Sequence, residues 1–88
     1  MFLVEWYLPH GAERTALADA ERAREASQAL ALQGTLVRYL GSTLVPSDET
    51  CFVMFEAGSA EAVRCLLDQA AMPCDRIVEA LRIGPGSL

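Results

Sequence analysis

Residues 2–8, Phe-Leu-Val-Glu-Trp-Tyr-Leu, are β-branched or aromatic and hold no turn former, which predicts a strand. Its even positions, Phe2, Val4, Trp6 and Leu8, form an all-apolar face. Leu3, Glu5 and Tyr7 form the other face. Pro9-His10-Gly11 ends the strand. The pattern then turns helical over 15–33, with Thr15 as a capping residue and good helix formers behind it. Ala16, Ala20, Ala23, Ser27 and Leu30 fall on one stripe of small residues, suited to lying close on a sheet. Asp19–Arg22 and Glu21–Arg24 are spaced to pair on the exposed side. Gly34 stands where a left-handed residue closes a helix.

Alternation returns over 35–45, a second strand in which Gly41 suggests a bulge or a close backbone approach. Pro46-Ser47-Asp48-Glu49 makes a tight turn into a third strand over 50–57, so the two strands form a hairpin. Ser59 caps a second helix over 60–71, with Val63, Leu66, Leu67 and Ala70 as its apolar stripe. Pro73 stops it, and 76–83 is the last strand. The order βαββαβ is the ferredoxin-like α+β pattern: a four-stranded antiparallel sheet in the order 4-1-3-2 with two helices on one face. It assigns 1–83 to one domain and 84–88 to a C-terminal tail. The strand 1 face holding Trp6 is expected to meet the helices. The other face keeps apolar groups that a second copy would cover, giving a homodimer as a dimeric α/β barrel.

Composition narrows the function classes. A chain of 88 residues is 52% apolar and 22% charged, which excludes a disordered tail. Twelve acids against seven bases give a net charge of −5, so a nucleic-acid partner is not expected. The longest uncharged run, 26–37, is too short to span a bilayer, so no membrane partner is expected either. The first residues have no basic stretch or small-residue cleavage site, which points to a cytoplasmic protein. Cys51, Cys65 and Cys74 lack CxxC spacing and read as reduced, mostly buried thiols. No GxGxxG, P-loop, HExxH or GxSxG occurs, so no nucleotide cofactor, phosphoryl transfer or serine hydrolysis is implied.

Leu3-Val4-Glu5, Ser42, Cys51, Phe55-Glu56-Ala57 and the run Ala71-Met72-Pro73-Cys74-Asp75-Arg76-Ile77 resemble the small bacterial nickel-binding family, a ferredoxin-like domain otherwise of unknown function. The resemblance covers nearly the whole chain and implies a dimeric α/β barrel with nickel as the possible cofactor. Where relatives carry a histidine directly before the serine of strand two, this chain has Gly41. Where others carry one in strand three, it has Val53. Nickel(II) favours imidazole, thiolate or several oxygens, and the single histidine here is His10.

Candidate chemistry therefore rests on carboxylates. Glu5, Glu56 and Glu79 stand in three strands and are expected either to converge inside the dimer, pushing at least one carboxyl up, or to pair with Arg38, Arg76 or Arg82. Glu5, Glu79 and His10 are the candidate acid–base groups, and His10 and Glu5 the candidate metal ligands. Tyr7, Tyr39 and Glu56 are the candidate ligand contacts; the two tyrosines either offer their hydroxyls to one cavity or are structural rings with the hydroxyl at the rim. Two functions fit: a small dimeric binding protein taking a small molecule or, weakly, a metal ion at the carboxylate-lined sheet face, or a cofactor-independent cyclase, isomerase or oxygenase. The second rests on fold analogy.

Overall fold

The structure, a computed structural model, describes residues 1–8, 13–72, 74–81 and 83–84. Its elements run β1 (Phe2–Tyr7), α1 (Glu13–Leu32), β2 (Val37–Val45), a 3₁₀ turn (Pro46–Asp48), β3 (Thr50–Ala57), α2 (Ala60–Ala70) and β4 (Arg76–Glu79). All neighbouring strands are antiparallel, in the order β2-β3-β1-β4. This is the ferredoxin-like arrangement the sequence predicts.

Pairing register fixes the two faces. Phe2 stands opposite Phe55, Val4 opposite Val53 and Trp6 opposite Cys51, and residues paired in this way share a face. These six side chains, with Ala23, Ala26 and Leu30 of α1 and Val63, Leu66 and Leu67 of α2, make one buried core. The helices therefore cover the face that carries Trp6, as its apolar pattern requires.

Both helices close with left-handed residues. Thr35 N–H donates to the Leu30 carbonyl at 2.9 Å and Gly34 N–H to Ala31 at 3.1 Å, with Gly34 at φ +88°. Ser59 Oγ accepts from Ala62 N–H at 3.2 Å and opens α2, as expected of a cap.

Three expectations are corrected. Thr15 lies inside α1, which already runs from Glu13. The predicted stripe of α1 is the packed one, with Ala23 and Leu30 buried and Ala16, Ala20 and Ser27 half-buried, but it is wider than expected: Ala26 is buried too, and Asp19 is buried rather than exposed. Its carboxylate is ion-paired with Arg22, which reaches out to solvent. Finally, β4 ends at Glu79 rather than 83, because its partner β1 begins at Phe2. One more bond follows, from Ala80 N–H to the Met1 carbonyl at 2.8 Å. Leu81 and Ile83 lie beyond the sheet and are exposed. Pro73 lies outside the described residues.

Candidate functional site

The face of the sheet away from the helices is built from the alternate residues of the same strands. β1 contributes Leu3, Glu5 and Tyr7, β3 contributes Phe52, Met54 and Glu56, and β4 contributes Arg76 and Val78. Leu3, Phe52, Met54 and Val78 are half-buried. They flank the Glu5–Arg76 ion pair. Glu5 Oε2 accepts from Arg76 Nε at 2.9 Å and lies 2.9 Å from Nη2. The register sets this up directly, since Glu5 and Arg76 are cross-strand partners. The start of β4 is also tied to β1: Asp75 N–H donates to the Glu5 carbonyl at 3.0 Å, and Asp75 Oδ2 accepts from Tyr7 N–H at 2.7 Å.

The three candidate carboxylates do not converge. Glu79 pairs in register with Phe2 and therefore lies on the helix-facing side, where it is exposed. Glu5 and Glu79 stand on opposite faces, so Glu79 does not crowd the Glu5 carboxylate. Glu56 shares the open face with Glu5 but pairs with Arg38, its partner on β2, at 3.7 Å, and both are exposed. Glu5 and Glu56 thus take the arginine partners that the alternative reading of the sequence offered them.

The two tyrosines are separated in the same way. Tyr7 pairs with Thr50 on the open face and is exposed, whereas Tyr39 pairs with Phe55 on the helix side. Their hydroxyls do not share a cavity. The Tyr39 ring packs on Phe55 with centroids 5.9 Å apart. His10 lies outside the described residues. Among the described residues no three His, Cys, Asp or Glu side chains come together as a metal-holding group. With Glu5 already held by a guanidinium, the described donors of one chain do not fit the several-ligand set that nickel(II) prefers.

The cysteines differ from one another. All three are free; Cys51 is buried, Cys74 is partly buried and Cys65 is exposed, so the expectation of mostly buried thiols fails at Cys65. Burial pushes the Cys51 thiol up, and the nearby Asp19 carboxylate adds to the shift. Burial also raises Cys74, against the opposing charge of Arg64. Sequence reasoning missed the buried Asp19. Its only signal was its spacing to Ala23 and Ala26, masked by the neighbouring charges.

Comparison with known proteins agrees with the fold. The family described as nickel responsive protein SCO4226-like matches residues 2–80. The chain is similar to the crystal structure of SCO4226 from Streptomyces coelicolor A3(2), with a TM-score of 0.72 and 24% identity over 94% of this chain and 98% of that one. At that identity the likeness shows the fold. No curated protein matches the chain. No helix among the described residues is long and apolar enough to cross a membrane. Since the family match spans every element from β1 to β4, this chain belongs to the SCO4226-like nickel-responsive family.

Proposed function

We propose that the protein is a small homodimeric binding protein whose two open sheet faces pack together as a dimeric barrel. Its ligand is a small molecule or, weakly, a metal ion, taken at the Glu5 carboxylate. The observation that carries this reading is the open face itself: four half-buried apolar side chains, Leu3, Phe52, Met54 and Val78, around the Glu5–Arg76 pair. An apolar surface of this kind on a small domain marks an interaction site. Glu5 sits on β1, which has neighbours on both sides, so its carboxylate stays within the face. A ligand that engages Oε2 competes with Arg76 for it, which favours a cationic group and sets a weak affinity.

Family membership supports nickel as the ion to try. Calorimetric titration with nickel chloride is expected to give affinity in the micromolar range or weaker, lost in Glu5→Gln. That variant should stay folded, because an ion pair whose arginine is exposed contributes only about 0.2–1 kcal/mol. Stoichiometric sub-micromolar binding, or binding unaffected by Glu5→Gln, contradicts the proposed site.

A further inference from the structure

The helix side of the sheet carries a second feature, independent of the open face. In a regular strand residues 39 and 42 point to opposite faces. In β2 they point to the same one. The register shifts between Tyr39 and Gly41, so Tyr39 stands opposite Phe55 and Ser42 opposite Val53, both helix-facing positions. Gly41 adopts φ +148°, which side chains rarely allow, and supplies the bulge. The bulge thus re-aims Ser42, and its Oγ lies 2.6 Å from the Tyr39 hydroxyl.

This hydroxyl pair lines a cavity of about 370 Å³ between the first half of α1 and β2. Ala16 and Ala20 keep the helix wall shallow, and Leu44 and the buried Cys51 line the sheet side. Glu13 and Leu17, both exposed, stand toward solvent. Pockets that hold small molecules start at about 300 Å³ and combine an apolar lining with a few placed polar groups.

We infer that this cavity binds a small uncharged, largely apolar molecule bearing one hydrogen-bond acceptor, such as an aryl or alkyl ketone. Two hydroxyls carry two protons. One is used between Tyr39 and Ser42, and the other is left to donate to a ligand oxygen. The described lining holds a carboxylate, Glu13, and no cation, and the chain carries a net charge of −5. Both disfavour an anion. The apolar wall disfavours a strongly hydrated cation.

Prodan, a neutral naphthyl ketone whose emission shifts to the blue in apolar surroundings, tests this on the full chain. Saturable binding of one equivalent per chain is expected. It should slow alkylation of Cys51 by N-ethylmaleimide, read by peptide mass, while Cys65 reacts as before. Ala20→Leu, which fills the cavity, should abolish binding, and Tyr39→Phe combined with Ser42→Ala should weaken it about tenfold. Thermal melts check that both variants are folded. Leu36→Ser, in the separate cavity lined by Ser27, Ala31 and Ala57, should leave affinity unchanged. Absence of saturable binding, wild-type affinity in Ala20→Leu or in the double variant, or loss of binding in Leu36→Ser overturns the inference.

Discussion

The two faces of the sheet are made by alternate residues of the same strands, yet they behave as different materials. Against the helices, Val4, Trp6, Val53 and Phe55 are at most 1% exposed. One residue along, Leu3, Phe52 and Met54 are only half-buried, and a charge pair sits among them. The helix side is a packed core with cavities toward its β2 edge. The open side has the composition of a core and the accessibility of a surface. The contrast shows that the packed core lies on one face of the sheet, and the other is the face on which we propose that a second copy packs.

Substitutions at adjacent positions of β3 are the sharpest way to break this comparison. Phe55→Ala should destabilise the chain by about 3–5 kcal/mol, because a buried ring is lost from a packed core. Phe52→Ala should have a much smaller effect on the isolated chain. Denaturant unfolding at low protein concentration reads both. Equal losses would mean the faces are not distinct.

Next in size is Phe52→Asp, which places a charge where the second copy is proposed to pack. Association should weaken roughly a hundredfold, since an unpaired charge would have to be desolvated, while the far-ultraviolet spectrum stays native. A variant that dimerises as well as the wild type would place the interface elsewhere.

The smallest effect belongs to the closed face. The Cys51 thiol is raised by burial above its ordinary value of 9.0, so the folded chain holds that proton more tightly than the unfolded chain. Its stabilising contribution is complete below that value and is lost as pH rises through the folded one. Melting temperature should fall above about pH 9, and fall less in Cys51→Ala. An identical alkaline decline in the two proteins contradicts this assignment.

Much of the fold was legible because alternation and helical spacing report burial directly. The Phe2–Leu8 pattern named the helix-facing side of β1, and Gly41 announced the bulge. What failed needed information from another strand. The end of β4 is set by where β1 begins, and no feature of 80–83 shows that. The grouping of Glu5 with Glu79, and of Tyr7 with Tyr39, depended on cross-strand parity, which follows from register alone. The stripe of α1 was drawn too narrow, without Asp19 and Ala26, because alanines lie all round the helix, giving hydropathy little contrast to mark the edge of its buried side. The Tyr39–Ser42 pair was invisible because the bulge reverses the parity that spacing would assign.

The central claim is that a second copy covers the open face, and the mass of the protein in solution tests it most directly. Sedimentation equilibrium at micromolar concentration should give about 19 kDa, twice the 9.5 kDa of one chain. A mass near 9.5 kDa under those conditions would contradict the claim.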